Sequence, residues 1–278
     1  MPPGNKSAGF ARAMTPAVLR AAGVAHSLEG RVRNVPKPAE EDAVKQALTE
    51  ADTAAQEVIL ESLIELYPQV SLAAEEDTPT VARFVDSSSS LVIIDPIDGT
   101  LHSYLEARGP YAVIVGLAVE RELHSAVVAL PREGQLFLAD REGPAERTTS
   151  KGAYRKAKPR ADGDRVLVSH SMPKRVLEAL CAEGLTPTPA CGGAIAVAPL
   201  IRGVRAGLRY YGGKRKRGIS IRGRVGALIA RQAGVHLEAD GRRPFPMHLD
   251  EHTRTLRLAA EADDLPVLAG ALAAAELG

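Results

Sequence analysis

The stretch Leu91-Val92-Ile93-Ile94-Asp95-Pro96-Ile97-Asp98-Gly99-Thr100 carries most of what this sequence says about its fold. Four consecutive apolar residues, entered from the serine run 87–90, read as a short buried strand. The strand delivers the chain into two carboxylates three positions apart, with Pro96 fixing the turn and the Ile97 carbonyl exposed between them. Oxygen donors of this kind suit a hard cation such as Mg²⁺, which keeps waters and substrate phosphate in its other positions. Gly99 and Thr100 are small groups suited to holding a phosphate near a helix N-terminus. On these six residues from Asp95 to Thr100 alone, a solvated turn and a metal site account for the spacing equally well.

Working outward, the spacing of Val18, Leu19, Ala22, Val24, Ala25 and Leu28 predicts a helix over 16–28, stopped by Gly30. Residues 31–48, with Pro36 and Pro38, read as loop. A second helix starts near Thr49 and stops before Pro68, and Val70 to Ala74 reads as a strand ending at Glu75, Glu76 and Asp77. Downstream, the runs 111–119, 123–130 and 135–139 read as a β-meander. The Gly-, Lys-, Arg- and Pro-rich segment 141–164 marks a boundary between an α+β half, 1–150, and an α/β half, 151–278. In the second half, strands at 165–169, 208–211 and 235–238 alternate with helices at 173–182, 195–201 and 225–233, which indicates α/β layering. The Ala-rich stretch 265–277 reads as a last surface helix.

The chain has 278 residues, 35 Lys and Arg against 34 Asp and Glu, and a hydrophobic fraction of 45%, which excludes a disordered chain. No apolar run reaches the roughly 18 residues of a membrane span, and the N-terminus lacks a secretory pattern, so a cytoplasmic protein is expected. Cys181 and Cys191 are too few for a disulfide framework or zinc site. The near-neutral total hides segregation. From Gly184 to Leu237 there is no acid, yet Arg202, Arg205, Arg209, Lys214, Arg215, Lys216, Arg217, Arg222, Arg224 and Arg231 all lie there. Such segregation suggests an anionic ligand on one side and cations on the other. Only 4% of the residues are aromatic and no nucleic-acid motif is present, which argues against a nucleic-acid partner.

Three separated segments then agree with one another. Thr49 to Asp52, Ala74-Glu75-Glu76 and the Asp95 to Thr100 signature resemble, in order and spacing, the Thr-x-x-Asp, Gly-Glu-Glu and Asp-Pro-x-Asp-Gly-Thr motifs of the inositol monophosphatase family. The resemblance extends over about residues 15–245 and is weaker in the second half. It implies a layered αβαβα sandwich and Mg²⁺-dependent hydrolysis of a small phosphate monoester such as an inositol phosphate, a sugar phosphate or a nucleotide bisphosphate. It also implies a homodimer. By the same resemblance Glu75, Asp95 and the Ile97 carbonyl hold one ion, and Asp95 and Asp98 share a second. Asp52 and Thr100 would orient and deprotonate the attacking water, while Gly99, Gly193 and Ala194 would touch substrate. Asp52 also suits the first turn of a helix, and both roles fit one residue.

The family pattern breaks at its third motif, Trp-Asp-x-Ala-Ala-Gly. Anchored on Gly226 and Gly234, Ile221 stands at the Trp position and Arg222 at the Asp position. Gly212 likewise stands where a substrate-contacting glutamate is expected, and His102 and Ser103 where an Asn and an aromatic are expected. Two readings follow. Either Arg222 supplies the charge of the absent ion and pairs with phosphate. Or the chain is a catalytically impaired homologue that binds a phosphorylated ligand or a protein partner. The basic run 214–217, which begins at Lys214, reads separately, either as capture of a substrate that carries more than one phosphate or as a solvated basic loop.

Overall fold

A computed structural model of the chain describes residues 9–36, 48–211 and 218–274. The first helix, α1 (Phe10–Leu28), begins six residues before the predicted start and carries Pro16 inside it. Phe10, Met14, Ala17, Val18 and Ala21 are all buried, so packing carries the helix across the proline. Helix α2 (Glu50–Leu66) has Thr49 as its N-cap and stops before Pro68, as the sequence predicts. The strand after it, β1 (Ser71–Ala73), pairs in parallel with β2 (Ser90–Asp98). An antiparallel meander follows, of β3 (Ala112–Val119), β4 (Glu122–Leu130) and β5 (Gln135–Asp140).

The segment 141–164 is not merely a connection. It adds the edge strands β6 (Glu146–Thr148) and β7 (Arg155–Lys156), so the first sheet runs β1 to β7 in chain order. The second sheet begins with β8 (Arg165–Ser169), followed by helix α3 (Lys174–Ala182). Next comes a strand that the sequence did not announce, β9 (Thr186–Ala190), parallel to β8 at the sheet edge. Pro187 and Pro189 lack an N–H, a loss an edge strand tolerates because one side of its backbone faces no neighbour. The predicted helix 195–201 is instead a short helix, α4 (Gly192–Ala196), and a 3-10 turn, Ala198–Leu200, divided just ahead of Pro199. Strand β10 (Val204–Tyr210), helix α5 (Val225–Ala233), strand β11 (His236–Glu238), strand β12 (Thr255–Ala259) and helix α6 (Asp264–Ala273) complete the described chain. The second sheet is ordered β11-β12-β10-β8-β9.

Five layers result. Strand alternation sends Val92 and Ile94 of β2 against α1 and α2, while Ile93 points the other way. On that opposite face, α4 and α5 fill the space between the two sheets with Ala194, Ile195, Val225, Leu228 and Ile229. Helices α3 and α6 cover the outer face of the second sheet through Val176, Leu180, Leu265 and Leu268. This is the αβαβα sandwich expected from the sequence. Among the described residues no helix is long and apolar enough to cross a membrane.

Candidate active site

In a regular strand, residues three apart point to opposite faces, so Asp95 and Asp98 would diverge. They converge because β2 is irregular there. Asp95 pairs with Ile114 and Asp98 with Ala112, so the β2 side spends one residue more than β3 across the same interval. Pro96, which has no N–H to give to the ladder, sits inside this bulge. Gly99 then turns with φ +92°, and a Cβ there would stand 2.7 Å from Cys191 Cβ, so the position requires glycine. The chain continues as a π-helical turn, Thr100–Leu105.

The partners come from neighbouring elements. Glu75 follows the end of β1, alongside β2, and the turn that carries it is tied to α2 by Gln56. The Gln56 side chain accepts from the Glu76 N–H at 3.0 Å and donates to the Glu76 carbonyl at 2.7 Å. Asp52 closes a capping box with Thr49, whose backbone N–H donates to Asp52 Oδ2 at 2.8 Å and whose hydroxyl donates at 2.6 Å. Its other oxygen, Oδ1, accepts from the Thr100 hydroxyl at 2.9 Å. The same hydroxyl lies 2.8 Å from the Ile97 carbonyl. Asp52 therefore caps α2 through one oxygen and meets Thr100 through the other.

Electrostatics mark this corner as short of positive charge. Burial pushes the Asp95 carboxyl well above its ordinary range, and Glu75 and Asp98 push it further, while Arg222 pulls the other way. Burial also raises Asp98, opposed by Arg209, the Gly193 N–H and Cys191. Asp52 is raised to about 6 by burial, despite the hydrogen bonds from Thr49 and Thr100. Asp95 Oδ1 is buried with no hydrogen-bond partner. Among the described residues no three His, Cys, Asp or Glu side chains already converge in the geometry of a metal site. Mg²⁺ asks for less, since one or two carboxylates with water and substrate phosphate usually suffice. An orphaned carboxylate oxygen beside a second carboxylate fits a hard divalent cation.

Arg222 points into the corner. Its Nε donates to the Ile94 carbonyl at 3.1 Å and its Nη2 to the Ala74 carbonyl at 2.7 Å, the residues just before Asp95 and Glu75. The Gly193 N–H is engaged by Asp98 Oδ2, and the Ala194 N–H by Cys191 Sγ at 3.4 Å. His102 pairs with Glu106 at 3.0 Å, and the Ser103 hydroxyl meets His170 Nε2 at 3.0 Å. Burial lowers His170 to about 4, which keeps that imidazole neutral. Lys214, the basic run 214–217 and Gly212 lie outside the described residues. Sequence reasoning missed Gln56 and Arg209. A glutamine on the apolar face of α2 and an arginine between Leu208 and Tyr210 in an otherwise buried strand were the available signals.

The sequence model of the inositol monophosphatase family matches residues 10–197. The chain belongs to that family. Inositol monophosphatase 2 of Homo sapiens is 34% identical over 94 residues, which is 34% of this chain and 32% of that protein. Histidinol-phosphatase of Chlorobaculum parvum is 33% identical over 94 residues, 34% of each chain. The match thus spans about a third of these relatives' length. Among solved structures, the Thermotoga maritima IMPase superposes with a TM-score of 0.71 at 17% identity, covering 94% of this chain and 96% of that one. CysQ of Bacteroides thetaiotaomicron gives 0.62 at 20% identity, over 90% and 97%. At these identities the likeness establishes the inositol monophosphatase fold.

Proposed function

We propose that the chain is a Mg²⁺-dependent phosphatase acting on a small phosphate monoester, in the class of inositol, sugar or nucleotide phosphates. The observation that carries this reading is the polar chain from the Ile97 carbonyl through Thr100 to Asp52, set beside a carboxylate oxygen that has no partner of its own. Glu75, Asp95 and the Ile97 carbonyl would hold the ion, with Asp98 lining the same corner. When bound, Mg²⁺ supplies Lewis acidity toward a phosphoryl oxygen and makes a water more acidic.

The residues of the chain supply the rest. Asp52, held by two donors from Thr49, accepts a proton relayed through the Thr100 hydroxyl. Arg222 brings a fixed positive charge next to Asp95, where phosphate oxygens would add negative charge. Phosphate release from a panel of inositol, sugar and nucleotide phosphates should require Mg²⁺ and vanish in Asp95→Asn. If no member of the panel releases phosphate at high Mg²⁺, the chain is a family member that binds a phosphorylated ligand or a protein without turnover. That second reading draws on Arg222 standing where the family carries a carboxylate.

A further inference from the structure

Arg209, on β10, is 8% exposed, and a buried guanidinium needs a partner. Its slot is cut from glycine. A Cβ at Gly192 would stand 2.2 Å from Arg209 Nη1, and one at Gly223 would stand 2.1 Å from the same atom. The next residue, Gly193, donates its N–H to Asp98 Oδ2, and a Cβ there would come within 3.2 Å of that oxygen. The Gly192-Gly193 step therefore has the guanidinium against its first residue and the Asp98 carboxylate against its second. The hydrogen-bond partners found for Arg209 are neutral and distant, the Gly223 carbonyl at 3.3 Å and the Tyr211 hydroxyl at 3.5 Å. The carboxylate on the other side of that glycine step is Asp98.

The three carboxylates of the corner are consequently not equivalent. Asp98 has the Gly193 N–H on its Oδ2 and the Arg209 guanidinium against the preceding glycine. Asp95 has an oxygen with no hydrogen-bond partner, and Glu75 beside it. We propose that Arg209 is the built-in counter-cation of Asp98, so that this chain takes one divalent ion, at Asp95 and Glu75, and none at Asp98. Arg209 acts through Asp98 and is a positioning residue. Two glycines that admit a guanidinium, and no acid anywhere from Gly184 to Leu237, are what a site with one ion and a fixed charge requires. The inference rests on the metal-dependent reading above for that one ion.

Titration of the full-length chain with Mn²⁺, counting free ion by electron paramagnetic resonance without substrate, tests it. The wild type should bind one Mn²⁺ per chain. Arg209→Met, which removes the charge and keeps most of the bulk, should bind a second, and Arg209→Lys should return the count to one. Two ions on the wild type would overturn this proposal and leave the phosphatase reading standing. A count of one in Arg209→Met with the wild-type affinity would overturn it as well. No Mn²⁺ bound to the wild type would take down both. Should Arg209→Met fail to fold by circular dichroism, Arg209→Gln is titrated in its place, with a second ion expected and a count of one overturning the proposal.

Discussion

Thr100 Oγ1 stands 2.9 Å from Asp52 Oδ1, joining residues 48 positions apart across the N-terminus of α2. The hydroxyl has one proton and two acceptors within reach, Asp52 and the Ile97 carbonyl. When Asp52 is charged, the bond to it is the stronger of the two.

The first prediction concerns the charge of Asp52. Burial raises its folded pKa to about 6, above the roughly 4 of an unfolded carboxyl. A raised carboxyl stabilises the fold most below the unfolded value, and that stability is lost as pH rises through the folded one. A shift of about two units corresponds to roughly 3 kcal/mol. In metal-free protein, urea unfolding should show the wild type losing up to about 3 kcal/mol relative to Asp52→Asn between pH 4 and 7. Parallel curves for the two proteins would contradict it. In the loaded enzyme, kcat/KM should rise with pH on a limb that Asp52→Asn lacks.

Thr100 separates packing from proton relay. Thr100→Ala leaves buried Asp52 Oδ1 without its donor, a loss of about 1–3 kcal/mol in urea unfolding. Activity should fall by about 10²-fold or more if the hydroxyl passes a proton. Thr100→Ser keeps the oxygen and should stay within a few-fold of wild type. Equal losses in the two variants would assign Thr100 to packing alone.

Arg222 should behave as a charge rather than as a ligand. Arg222→Ala forfeits two bonds to the Ala74 and Ile94 carbonyls and the positive charge beside Asp95, and should lower turnover. Arg222→Asp adds a carboxylate at the same place and should raise Mg²⁺ affinity, read by calorimetry. An unchanged Mg²⁺ dependence in both variants would remove Arg222 from the site.

Sequence reasoning reached the elements whose signals are local. Thr49 and Pro68 bracket α2, Gly234 terminates α5, and the meander 112–140 follows from its apolar runs and tight turns. It missed β9, because two prolines read as loop when the edge position that permits them is a property of the sheet. It missed β12 as well, where Arg257 interrupts the apolar pattern and is buried against Glu238 of the neighbouring strand. The site divides in the same way. Asp52, Glu75, Asp95, Asp98 and Thr100 sit in short motifs and could be named, but Arg209 and Gln56 act across 111 and 20 positions on Asp98 and Glu76. Contacts of that range leave only a polar residue in an apolar pattern as their trace.

Gln56 gives the last prediction. It is fully buried, and its amide satisfies both the N–H and the carbonyl of Glu76. Removing the amide takes its partner from each of those two backbone groups. Gln56→Leu should therefore cost about 2–4 kcal/mol in urea unfolding, the desolvation of two stranded backbone groups. Gln56→Glu keeps the oxygen that accepts from the Glu76 N–H but, when charged, places a carboxylate against the Glu76 carbonyl, so it should recover little at pH 8 and more at pH 5. The turn also carries Glu75, so in the folded Gln56→Leu protein Mg²⁺ should bind more weakly by calorimetry. If stability falls while Mg²⁺ affinity stays the same, Gln56 holds the fold and not the geometry of the carboxylates.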